Sequence, residues 1–97
     1  MTAKKTKTEE PFTENPDGSV TVHLRSERIL DGEARKEIVL REPTAGDFVD
    51  ADNGQRSQAQ QEIFILSNLA ELTPDAIREL PMKDYGRLQL ALGFMSG

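Results

Sequence analysis

The sequence predicts a small single domain of the α+β class, in which an N-terminal β-hairpin is followed by three to four α-helices. Apolar residues alternate with polar ones at Val20, Val22 and Leu24, which is the period of a half-buried strand. After position 44 the apolar residues recur at the wider spacing of helices. The length of 97 residues suits one domain. We therefore expect residues 19–97 to form one folded unit.

Residues 1–18 are predicted to be a flexible, disordered tail. They contain one strongly apolar residue, Phe12, among Thr, Glu, Lys, Pro and Asn. A segment of this composition buries too little surface to offset the entropy lost on ordering. Pro16-Asp17-Gly18 has the composition of a turn and marks the expected start of the folded part.

Two strands joined at Asp31-Gly32 make the predicted hairpin. An Asp-Gly pair favours a two-residue turn because both positions tolerate a positive φ. The first strand begins at Ser19, and the returning strand spans Glu33 to Arg41.

The register of this hairpin predicts a β-bulge. With an unbroken ladder, the alternating apolar residues of the first strand face away from Ile38 and Leu40. One extra residue in the first strand, near Arg25–Arg28, brings both sets onto one face. Leu24 would then lie opposite Ile38, and Val22 opposite Leu40.

Helices are predicted to follow the hairpin. Thr44 and Asp47 are spaced as a capping box at the start of the first helix, with Phe48 as its buried anchor. A second helix is predicted from about Gln55 to Glu71. A third starts at Thr73, which precedes a proline and an acidic residue.

The last helix, from about Met82 to Met95, is apolar around most of its circumference. Such a helix is normally buried. It is either the central helix of the core, or one side of it is covered by another protein. In the second case the partner-binding candidates are Tyr85, Leu88, Leu92, Phe94 and Met95.

The sequence predicts no catalytic, metal or cofactor site. His23 is the single histidine and lies on the polar face of a strand, and there is no Cys to complete a zinc site. Asp50 and Asp52 lack the twelve-residue spacing of a calcium loop. No serine stands in a nucleophile motif. We therefore expect a protein that is not an enzyme and needs no cofactor.

The charge of the chain argues against nucleic acid as a partner. The net charge is −5, whereas binding to nucleic acid needs a basic surface. The two short helices around Pro81 are spaced like a helix-turn-helix, but the second offers only Lys83 and Arg87 as basic side chains. No long apolar run is present, so we expect no membrane partner and a cytosolic location.

One stretch resembles a known family. Leu40-Arg41-Glu42-Pro43-Thr44-Ala45-Gly46-Asp47-Phe48, coming after a hairpin with an Asp-Gly turn, is similar to the tail assembly chaperones of Mu-like phages and related prophages. That family then has an apolar-Thr-x-x-x-Ile-x-x-Leu element, matched by Leu72 to Leu80. Its final helix contains an early Asp, matched by Asp84. The resemblance covers about residues 20–95.

The resemblance implies a phage tail assembly chaperone that binds the tape measure protein in the host cytoplasm and is absent from the mature virion. It also implies the tail tube protein as a further partner, since many phages make a longer, frameshifted form that recruits it. The alternatives are a structural tail or baseplate component and a small DNA-binding regulator. The sequence leaves open whether the chain forms a homo-oligomer.

Each position of the stretch from Arg41 to Asp47 also has a structural interpretation. The guanidinium of Arg41 can pair with Glu42, with Asp47 or with a helix C-terminus. Pro43 ends strand pairing. We therefore expect a strand-to-helix junction, with direct contact to a partner as the alternative.

Overall fold

A computed structural model describes residues 10–97, which form a three-stranded antiparallel sheet followed by four helices. The predicted α+β class is confirmed. The strands are β1 (Phe12–Glu14), β2 (Val20–Leu30) and β3 (Glu33–Leu40), and β2 lies in the middle of the sheet. The helices are α1 (Ala45–Ala51), α2 (Gln58–Ala70), α3 (Pro74–Arg78) and α4 (Met82–Ser96). None of them is long and apolar enough to cross a membrane.

Strand β1 lies within the segment that the sequence predicts to be a disordered tail. It pairs with the start of β2, with Phe12 opposite Val22. The ring of Phe12 also lies 5.4 Å from that of Phe94. The prediction is therefore wrong for Phe12–Glu14, because the aromatic side chain finds partners that a local composition argument does not see. Residues 1–9 of the predicted tail lie outside the described residues.

The ladder between β2 and β3 is interrupted between His23 and Arg28, so the predicted β-bulge is confirmed. Within the interruption β2 has residues 24–27, whereas β3 has only Lys36. Four residues against one give β2 three extra residues, where the sequence argument expects one.

The size of the bulge changes the register. Val20 lies opposite Leu40, and Val22 lies opposite Ile38. The predicted pairs of Leu24 with Ile38 and of Val22 with Leu40 are therefore wrong by two positions. The faces are nevertheless as predicted, because any odd number of extra residues brings the same faces together. These four paired side chains of Val20, Val22, Ile38 and Leu40 are buried in the core.

The tip of the hairpin is attached to the start of α3. Asp31 and Gly32 both have positive φ, 51° and 84°, as the predicted turn requires. The carboxylate of Asp31 accepts the N–H of Thr73 at 2.9 Å and its hydroxyl at 2.6 Å. Ile29 is 67% exposed, whereas its neighbour Leu30 is buried in the core.

The predicted helix starts at Thr44 and Thr73 are confirmed, and each side chain caps its helix. Helix α2 begins at Gln58 rather than Gln55. The side chain of Asn53 accepts the N–H of Gln55 at 2.9 Å and holds that segment in a turn.

The predicted burial of Phe48 is wrong, since its side chain is 41% exposed. Helix α1 has only seven residues, and its buried face is made by Asp47 and Ala51, which are four residues apart. Phe48 follows Asp47 by one position and so points away from that face. The core lies instead between the sheet, α2, α3 and α4 and includes Leu66, Leu69, Ile77 and Leu88.

Candidate partner-binding surface

The stretch from Arg41 to Asp47 forms the junction between β3 and α1. The guanidinium of Arg41 donates two hydrogen bonds of 2.9 Å, one to each carboxylate oxygen of Asp47. The backbone N–H of Arg41 donates to the carbonyl oxygen of Leu69 at 3.1 Å, near the end of α2. Of the partners considered for the Arg41 side chain, the structure therefore selects Asp47 for the bidentate pair.

Asp47 also closes the capping box of α1. Its carboxylate accepts the N–H of Thr44 at 2.7 Å, and the Thr44 hydroxyl accepts the N–H of Asp47 at 3.3 Å. The bonds from the Arg41 guanidinium, and then from the Thr44 N–H, hold the pKa of Asp47 well below its ordinary value. Asp47 is thus an ionised, nearly buried group whose acceptors are used within the chain, which is the arrangement of a structural joint.

Two polar side chains of α4 hold that helix against the bulge in β2. Asp84 is 1% exposed and accepts the backbone N–H of Arg25 at 2.9 Å. Arg87 donates to the carbonyl oxygen of His23 at 2.8 Å. A bulge leaves backbone groups without their ladder partners, and a buried backbone group without a partner costs about 1–3 kcal/mol. Helix α4 therefore supplies hydrogen bonds to backbone groups of β2 where the ladder between β2 and β3 is interrupted.

The five residues predicted to bind a partner do not form one surface. Leu88 is fully buried in the core and cannot contact a partner while the domain is folded. Leu92 is also buried, with 8% of its surface exposed, and it lines a groove described below. Tyr85 and Met95 are half-buried. Phe94 is half-exposed and packs against Phe12. A partner-binding role for the more accessible of these residues stays a prediction.

A groove of about 490 Å³ opens between α1, α2 and α4. Its apolar lining consists of Phe48, Ala59, Ile65 and Leu92. Its polar lining consists of Gln58, Gln61, Glu62 and Gln89. We call it the Phe48 groove.

Among the described residues that line the Phe48 groove, Glu62 alone is charged. Its Oε1 accepts the hydroxyl of Tyr85 at 2.5 Å and the amide of Gln89 at 2.9 Å. Burial, together with the neighbouring carboxylate of Glu62, raises the pKa of Tyr85. The phenol therefore keeps its proton at neutral pH, and the carboxylate is held in a fixed position.

The single histidine is occupied by cross-strand contacts. A ring nitrogen of His23 lies 2.7 Å from the hydroxyl of Thr13, and the other lies 3.4 Å from the carboxylate of Glu37. Across residues 10–97 no group of three or more His, Asp and Glu side chains is placed to hold a metal ion.

Comparison with known protein families decides where the chain belongs. The family described as "Phage tail assembly chaperone proteins, E, or 41 or 14" matches residues 21–97. The chain belongs to this family of phage tail assembly chaperones. Neither a search of curated proteins nor a search of solved structures found a match.

The matched part of the chaperone contains both the Arg41–Asp47 junction and the whole Phe48 groove, whereas β1 precedes it. An assembly chaperone works by binding tail proteins, so the family indicates a binding protein rather than an enzyme. The resemblance seen in the sequence is confirmed at this level.

Sequence reasoning missed Glu62 and the structural use of Asp84 in this chaperone. Glu62 precedes the apolar residues of α2 without any local motif that singles it out. Asp84 carried a usable signal, because a lone carboxylate at the start of an apolar helix needs a donor. The predicted bulge is where unpaired backbone N–H donors are found.

Proposed function

We propose that this chaperone binds the tape measure protein during tail assembly and keeps it soluble until tube subunits polymerise around it. The family match over residues 21–97 carries the proposal. The family resemblance implies that these chaperones bind the tape measure protein, which is a long and aggregation-prone client.

The exposed apolar side chains support a binding role. Seven large apolar residues of the described part are 41–72% exposed, namely Ile29, Val39, Phe48, Val49, Met82, Leu90 and Phe94. Single exposed apolar residues are common on protein surfaces, but Phe48 lines a groove between α1, α2 and α4, where apolar surface is typical of a binding site. The net charge of −5 favours solubility while this surface is free.

Co-expression with the tape measure protein of the same phage tests the proposal. We expect the tape measure protein to be soluble and to co-purify with the tagged chaperone, and to be mostly insoluble when it is expressed alone. If it remains insoluble in both cases, or is soluble without co-purifying, the proposal is wrong.

In this proposal the protein acts in the host cytoplasm and is absent from the mature virion. The alternative from another class is a structural tail or baseplate component. Quantitative mass spectrometry of purified particles separates the two. We expect no peptides of this chain above background, whereas a fixed number of copies per particle would favour the structural component.

The tail tube protein is proposed as a second partner, bound by a longer frameshifted form. A pull-down of tube protein with each form tests this. Binding by the longer form alone is the expected result, and binding by neither form would remove the tube protein from the list of partners.

A further inference from the structure

We infer that the Phe48 groove is the client site of this chaperone, and that it takes an amphipathic helix with a Lys or Arg beside its apolar stripe. The inference rests on the proposed function, because it takes the tape measure protein as the client. It adds the place of binding and the chemistry of the bound segment.

Phe48 forms an apolar wall of this groove and lies on a helix whose first turn is held in place. The residue before it, Asp47, is held by Arg41 and Thr44, so helix α1 and its exposed phenylalanine are positioned before any partner arrives. A phenylalanine on a backbone segment that is already held in place avoids the entropic cost of ordering that segment on binding. Ala59 on the opposite side is small and leaves room for a side chain of the partner.

The dimensions of the groove match a short stretch of helix. On the α2 side it extends from Gln58 to Ile65, which is about 10 Å at a rise of about 1.5 Å per residue. Two turns of a partner helix have this length and present residues i, i+4 and i+7 on one face. Because α1, α2 and α4 surround the groove, rows of helical side chains are available to pack against those of the partner.

The negative charge of Glu62 in the groove favours a basic residue beside the apolar stripe of the partner helix. Glu62 is fixed by Tyr85 and Gln89, and both bonds use Oε1, so neither engages Oε2. The described lining residues include no Lys or Arg. A Lys or Arg of the partner can form a charge-assisted hydrogen bond with this carboxylate, whereas an acidic side chain would be repelled.

Two competing surfaces are less suited to a partner helix. A larger groove of about 600 Å³ lies beside Phe64, but the guanidinium of Arg56 already covers that ring at 3.9 Å from its centre. The outer face of α4 exposes Met82 and Leu90, but neither side chain lines the Phe48 groove or the larger groove beside Phe64. Neither combines a free aromatic side chain with a fixed charge.

Matched substitutions test the place of binding. Phe48→Asp and Ala59→Glu alter the groove, whereas Leu90→Asp removes a more exposed apolar side chain from the opposite face of α4. We expect both groove variants to bind the tape measure protein at least tenfold more weakly and the Leu90 variant to bind within about twofold of the wild type. Circular dichroism and thermal unfolding verify that each variant is folded.

Peptides that tile the tape measure protein test the chemistry of the bound segment. We expect the tightest peptides to be amphipathic helices with a Lys or Arg beside the apolar stripe. Glu62→Lys should weaken them at least tenfold, and exchange of that basic residue for Glu in the peptide should restore most of the affinity.

The outcomes separate this inference from the proposed function. If the wild type does not bind the tape measure protein, both are wrong. If the wild type binds it and the folded groove variants bind it equally well, the assignment of the client site to the Phe48 groove is wrong and the proposed function stands. If light scattering shows that Phe48→Asp splits a homo-oligomer while client binding is unchanged, the groove is a self-association site and the inference is overturned.

Discussion

The Arg41–Asp47 junction directly precedes Phe48 in the chain, but the junction and the Phe48 groove differ in how their polar groups are bonded. In the junction, Asp47 is nearly buried and its oxygens accept bonds from Arg41 and Thr44. In the groove, Phe48 is partly exposed and Glu62 keeps one oxygen outside its two bonds within the chain. The polar groups of the junction are bonded within the chain, whereas the groove presents an apolar side chain and a carboxylate oxygen to which a partner can bind.

The difference separates the residues that identify the family from the residues that are suited to binding a client. A motif whose polar groups are bonded within the chain stabilises the fold and leaves few of those groups for a partner. Phe48 directly follows that motif, so the junction fixes the position of the groove wall. We expect substitutions in the junction to lower stability first, and substitutions in the groove to lower client binding first.

The largest expected effect concerns the core behind the groove. Leu88→Ala should lower the free energy of unfolding by about 2–5 kcal/mol, because it removes a fully buried side chain and leaves a cavity. Leu90→Ala, two residues away on the exposed face, should change it by less than about 0.5 kcal/mol. Urea unfolding measures both, and equal effects would contradict the assignment of the two faces of α4.

The next effect concerns the junction. Asp47→Ala should destabilise the domain by about 1–2 kcal/mol, since it removes the reciprocal cap and the pair with Arg41. The ion pair adds little beyond the cap, because the Arg41 side chain is partly exposed. Asp50→Ala in the same exposed helix is the control. Unchanged stability of the Asp47 variant would contradict a structural role for the junction.

The pH dependence of stability should also single out Asp47. Its folded-state pKa is lowered by Arg41 and Thr44, so the ionised form stabilises the domain above the unfolded pKa of about 3.9. This contribution is lost as the pH falls through the lower folded value. The stability difference between wild type and Asp47→Asn should therefore shrink below about pH 4, as measured by unfolding at several pH values. A constant difference would contradict the lowered pKa.

The smallest expected effect is a gain in stability. Apart from the adjacent residues and the backbone of α4 itself, nothing lies within 4 Å of a Cβ atom built at Gly86 or Gly93. Each Gly→Ala change should therefore stabilise the helix by about 0.5–1 kcal/mol. Client binding should be unchanged, because neither glycine lines the Phe48 groove. Weaker binding by the stabilised variants would instead favour the outer face of α4 as the client site.

Features set by neighbouring residues could be predicted from the sequence. The caps at Thr44 and Thr73 were predictable because the side chain and the N–H that it accepts are three residues apart. The bulge was predictable in kind because the alternation in β2 and β3 must face one core. Its size was not predictable, since the alternation of apolar and polar residues shows only whether the number of extra residues is odd or even.

Features set by distant contacts could not be predicted. The strand at Phe12 combines a ladder with β2 and a ring contact with Phe94, which is far along the chain. The exposure of Phe48 depends on how α1 packs, which the spacing of residues within α1 does not determine. The groove arises only when α1, α2 and α4 are brought together.

Site-specific photo-crosslinking tests the central claim most directly. A photoreactive phenylalanine analogue is placed at Phe48 in one variant and at Leu90 in another, and each is irradiated in complex with the tape measure protein. We predict a strong crosslink from position 48, to a basic amphipathic segment of the client, and none above background from position 90. A crosslink from position 90 without one from position 48 would contradict the assignment of the client to the Phe48 groove.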